Sequence, residues 1–77
     1  MTFDEALSLV EKTHPDLYFT GNAYIYKRYY MIEMSDEEHP SSIVYDGYLK
    51  VDRFTKKITP YIPALDGIPK PNEKKPV

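Results

Sequence analysis

The sequence predicts an α+β domain: one N-terminal helix packed on a three- to four-stranded antiparallel β-meander over residues 1–62, followed by a disordered tail over 63–77. Three observations predict it. A capping box opens a single apolar helical stripe at the N-terminus. Alternating, tyrosine-rich runs follow, as strands require. The stretch 43–62, I-V-Y-D-G-Y-L-K-V-D-R-F-T-K-K-I-T-P-Y-I, then reads as one β-hairpin with a turn at Arg53 to Lys57 and a proline-marked return strand.

Thr2 and Glu5 form the T-x-x-E box, in which each side chain satisfies the other residue's N–H. Phe3, Ala6, Leu7 and Val10 repeat at i, i+3, i+4 and i+7, one face of a helix. Asp4 and Glu5 suit the positive end of the helix dipole, and Lys12 and His14 the negative end. Pro15 disfavours helical geometry at His14, so the helix is expected over 2–13. Three turns are too short to stand alone and need a surface to dock on.

Leu17, Tyr18 and Phe19 either begin a strand or only deliver the chain to one, and Thr20-Gly21-Asn22 signals a turn or bulge. The run 23–34, A-Y-I-Y-K-R-Y-Y-M-I-E-M, is either a hairpin turning at Lys27 and Arg28 or one bent strand. As a hairpin it puts Ile25, Tyr30, Ile32 and Met34 on the core face and Tyr24, Tyr26, Tyr29 and Met31 on the other. Lys-Arg is a poor substitute for the Asn-Gly or Asp-Gly that such turns prefer. Residues 35–42, S-D-E-E-H-P-S-S, read as an acidic surface loop. In the strand 43–52, Ile43, Tyr45, Leu49 and Val51 share the inner face, and Gly47 on that row marks a bulge or close packing. The closing strand, 57–62, places Ile58 and Ile62 inward and Thr59 and Tyr61 outward. Pro60 cannot donate to the ladder, which makes it an edge. Four of the seven prolines fall in 63–77. That composition predicts disorder. The alternatives are a polyproline II peptide that docks elsewhere and a fold-back of 63–69 over the sheet.

V-D-R-F-T-K-K-I resembles the closing hairpin V-D-x-x-T-G-x-[VI] of PepSY-type modules and the YrhB-like immunity proteins, and of many small phage and prophage proteins. Val51, Asp52, Thr55, Lys57 and Ile58 match, while Lys56 stands where the glycine falls. A left-handed backbone position is therefore expected at Lys56, with mild strain, or a different turn. The resemblance implies a helix against a sheet and a binding or immunity role in a bacterial cytoplasm.

Composition narrows the function classes. Seventy-seven residues make one small domain. There is no cysteine, which excludes disulfide staples and thiol chemistry. The early acids of M-T-F-D-E-A-L argue against a signal peptide, and no apolar run reaches the roughly 20 residues of a membrane span, so a cytoplasmic protein is expected. A net charge of −2 makes nucleic acid an improbable partner. His14 fits a capping role, and His39 sits in D-E-E-H without the spacing that converges oxygens on a cation. No enzyme, cofactor or metal site is expected.

What remains is a surface. There are eight tyrosines and no tryptophan. If the helix covers the inner face, Tyr24, Tyr26, Tyr29, Met31, Val44, Tyr48 and Tyr61 look outward as a partner-binding face. The first and third connections of a meander share one end, which gathers Lys27, Arg28, Arg53, Lys56 and Lys57 into a basic rim. Asp36, Glu37 and Glu38 fall at the other end. The expected function is a non-enzymatic protein-interaction module that binds or inhibits a protein through the tyrosine face. The alternatives are a structural protein that dimerises through that face, an immunity protein, and a weak nucleic-acid binder.

Overall fold

The computed structural model describes residues 1–35 and 47–77. Helix α1 spans Phe3–Thr13, and strands β1 (Tyr18–Tyr26), β2 (Tyr29–Ser35), β3 (Tyr48–Asp52) and β4 (Ile58–Pro60) form one antiparallel sheet in the order β1-β2-β3-β4. The chain is therefore α+β with a four-stranded meander. Expectations placed on 36–46, including the acidic loop, His39, Ile43, Val44 and Tyr45, lie outside the described residues.

The capping box forms as drawn. The Thr2 N–H donates to Glu5 Oε1 and the Glu5 N–H to Thr2 Oγ1, each at 3.2 Å. The Thr2 N–H, and after it the Thr2 hydroxyl, which donates to the same Oε1 at 3.2 Å, hold the Glu5 carboxyl below its usual pKa. Ala6 and Val10 are fully buried in one cluster with Tyr30, Ile32, Met34 and Val51. Phe3 meets both Phe19 and Tyr30 at ring-centroid distances of 5.9 Å. Leu49 and Ile58 complete this layer from β3 and β4.

Leu17-Tyr18-Phe19 does lead into a strand. β1 runs through Thr20-Gly21-Asn22, which forms a bulge: Phe19 pairs with Met34 but Ala23 with Ile32, so β1 spends four residues where β2 spends two. Glu33 holds the bulge, its Oε1 accepting from Thr20 Oγ1 at 2.6 Å and Asn22 Nδ2 at 3.0 Å. Lys27 and Arg28 are the turn, with Tyr26 opposite Tyr29. Gly47 lies so close to β2 that an added Cβ would stand 3.2 Å from the Met34 carbonyl oxygen.

Two expectations fail at the C-terminal end. Ile62 does not enter the core; β4 stops at Pro60, and Ile62 precedes a short helix α2 (Pro63–Asp66). Nor is 63–77 a disordered tail. It comprises α2, a 3₁₀ turn at Pro71–Glu73, and a β-bridge in which Ile25 and Lys75 exchange backbone hydrogen bonds of 2.7 and 2.9 Å. Side chains far upstream hold it there. Lys50 Nζ lies 2.7 Å from Asp66 Oδ1, the Tyr61 hydroxyl donates to the Gly67 carbonyl at 2.6 Å, and Pro69 is buried.

Candidate protein-interaction surface

Of the seven residues expected on an open face, the six that are described do gather on one side of the sheet, but that side is not open. Tyr26, Met31 and Tyr61 are buried and form a second cluster, with Tyr24, Tyr29 and Tyr48 half-buried around them. Segment 63–77 covers part of this side, as a fold-back of the tail would. Leu65 and Asp66 line a cavity with Tyr26, Tyr29 and Met31. Lys74 Nζ stands 5.0 Å from the centre of the Tyr24 ring, which meets Tyr48 edge-on at 5.3 Å. What holds the cover is the Lys50–Asp66 pair, the Tyr61 hydroxyl, the Ile25–Lys75 bridge and the buried Pro69, while Leu65 and Ile68 stay exposed. As folded, Met31 and Tyr61 cannot be a contact surface, and Tyr26 keeps only 7% of its area exposed.

The basic rim is assembled. The turn at Lys27 and Arg28 meets the β3–β4 turn, with the Arg53 N–H donating to the Arg28 carbonyl at 3.0 Å. The Arg53 side chain explains why Lys-Arg can turn a hairpin. Its Nη2 donates to the Lys27 carbonyl at 3.0 Å and its Nε to the Arg28 carbonyl at 3.2 Å, satisfying the two turn carbonyls. Arg28 Nε in turn lies 2.9 Å from Asp52 Oδ2. Lys27 takes a φ of 57°, the left-handed region a side chain seldom enters.

The second turn is built by Asp52. Its Oδ1 accepts from the N–H groups of Phe54 at 2.8 Å and Thr55 at 3.1 Å, an Asx-type turn. Thr55 Oγ1 accepts from the Lys57 N–H at 3.3 Å, and Lys56 adopts φ 64°. The glycine-like backbone expected at Lys56 is thus present. Desolvation raises the Asp52 pKa, but the two N–H donors and the Arg28 guanidinium more than reverse it and leave the carboxyl below its ordinary value.

This geometry throws one side chain outward that the sequence reading passed over. Phe54, at the apex of R-F-T-K-K, is 71% exposed. The guanidiniums of Arg28 and Arg53 lie 5.1 and 5.7 Å from its ring centre. Lys27, Lys56 and Lys57 are exposed in the same two connections, and Arg53 is half-buried. A signal was available: a phenylalanine inside a turn, between cations, has no strand face to occupy. The anchors of the C-terminal segment, Asp66, Gly67 and Lys75, were also missed, and no local pattern marks them.

Among the described residues no three His, Cys, Asp or Glu side chains gather as metal ligands would, and no helix is long and apolar enough to cross a membrane. No protein-family model, curated protein or solved structure matches this chain.

Proposed function

We propose that this chain is a non-enzymatic protein-interaction module that binds, and by binding inhibits, an acidic protein through the end of the sheet where its two turns meet. The observation that carries the reading is Phe54, 71% exposed between two guanidiniums. The turn holds this ring in water, with its face occupied by cations. Phenylalanine and arginine are enriched at protein interfaces, and a ring held by neighbouring side chains loses little entropy on docking. Five cations around it steer the encounter with an acidic surface, and the net charge of −2 keeps that steering local to one end. The resemblance to immunity modules and to small phage and prophage proteins points to the same kind of partner in a bacterial cytoplasm. Dimerisation through the tyrosine face loses its support, because part of that face is buried within the chain.

The test is affinity capture from a bacterial lysate with the wild-type chain, Phe54→Ala and Lys56→Glu as baits. The expected result is an acidic protein held by the wild type and released by salt. Phe54→Ala should weaken it about thirtyfold, the loss of one anchoring side chain. A partner held equally by Phe54→Ala overturns the reading. Recovery of nucleic acid in its place would mean that the ring stacks bases beside the cations.

A further inference from the structure

Beside the Lys27 turn the sheet and α2 enclose a cavity of about 230 Å³. Tyr26, Tyr29, Met31, Leu65 and Asp66 line it, Met31 fully buried and Leu65 largely exposed. Two ammonium groups stand at it. Lys50 Nζ lies 4.6 Å from the Tyr29 ring centre and 2.7 Å from Asp66 Oδ1, so its charge is already matched. Lys27 Nζ lies 5.0 Å from the Tyr26 ring centre and makes no ion pair among the described residues. Among the described residues that line it, two cations and one carboxylate leave a single positive charge.

We propose that this cavity seats the side chain of a glutamate from the acidic partner. Its methylenes lie against the rings of Tyr26 and Tyr29, and its carboxylate meets Lys27. The inference rests on the interaction-module reading, and deepens it by naming a residue the partner must supply. The charge count selects the ligand. A dianion such as phosphate would exceed the single net positive charge of the described lining residues, whereas one carboxylate closes the balance. The two rings favour a ligand that carries apolar atoms beside its charge. The backbone places the cation: Lys27 sits at φ 57° in a turn held by Arg53, so its stem starts from a fixed position at the cavity mouth.

The full-length chain, labelled at its methionine methyls, would be titrated by NMR with N-acetyl-glutamic acid amide, N-acetyl-glutamine amide and inorganic phosphate. The expected result is a saturable shift of the Met31 methyl with the glutamate compound alone. Lys27→Gln should weaken that binding about fivefold, the worth of one exposed ion pair. Its unliganded Met31 signal, unmoved from wild type, reports an intact fold. Equal shifts with the glutamine amide, a stronger response to phosphate, or no Met31 shift with any of the three overturn the proposal. If Met31 stays silent while Phe54→Ala loses the captured acidic partner, the seat fails and the module stands. If Met31 responds while capture ignores Phe54, the module reading fails and the seat stands.

Discussion

Replacing Met31 with alanine separates a covered tyrosine face from an open one. Met31 has no exposed surface and lies in the sheet interior, opposite Tyr24 on one side and Lys50 on the other. Truncation beyond Cβ removes a methylene, the sulfur and the terminal methyl, roughly 2.4 kcal/mol of transfer free energy at about 0.8 kcal/mol per group. A residual void adds to this, although the neighbouring cavity lets the site relax, so a total of about 3 kcal/mol is expected within the usual range for buried methionine. A domain of this length has on the order of 4–11 kcal/mol of stability, so the variant should still fold. Urea and thermal melts followed by far-UV circular dichroism would read the loss, with Tm lowered by about 12–24 °C. Phe54→Ala is the control, because an exposed turn residue should change stability by less than about 0.5 kcal/mol. A Met31→Ala variant that also loses less than about 0.5 kcal/mol would refute the reasoning, since it would mean the face is open in solution.

Two further predictions follow from the turns and the C-terminal segment. Lys56→Gly should stabilise the chain by about 0.5–1 kcal/mol, because glycine takes φ 64° without the Cβ clash that lysine carries there; a higher urea midpoint would show it and a lower one would count against it. Asp66→Asn should cost about 1–2 kcal/mol, since the carboxylate accepts from both Lys50 and the Ile62 N–H. The same substitution should change the acid response. Burial raises the Asp66 pKa, but the Lys50 hydrogen bond, the Ile62 N–H and the charges of Lys50 and Lys27 outweigh it and hold the carboxyl below its ordinary value. A depressed folded pKa gives stability that is complete above the unfolded value of about 3.9 and is lost as pH falls through the folded one. The C-terminal segment should therefore loosen only below about pH 4, seen as loss of the Lys75 amide's exchange protection, and that step should be absent in Asp66→Asn.

Most of the fold was legible because its signals are local. The Thr2–Glu5 box, the stripe from Phe3 to Val10 and the break at Pro15 each need only a few consecutive residues. The same holds for Asp52 and Thr55, whose side chains bond to backbone two or three residues away, and for the left-handed position at Lys56. The Lys27 and Arg28 turn was harder to read, because the group that rescues it, Arg53, lies 25 residues later and arrives only once three strands have paired.

Of the candidate site, the basic rim could be inferred from strand parity alone, since a meander returns alternate turns to one end. The state of the tyrosine face could not. Alternation along 23–34 and 48–61 determined which side chains share a side of the sheet, but a sheet has two sides, and periodicity does not say what covers the second. That was decided by Lys50 with Asp66, Tyr61 with Gly67, and Ile25 with Lys75, the last pair fifty residues apart in the chain. A proline-rich segment of low hydropathy looks the same in sequence whether it wanders or docks. What fixes it is the apolar area and the hydrogen-bonding groups that the folded sheet offers, and these exist only after the sheet has formed.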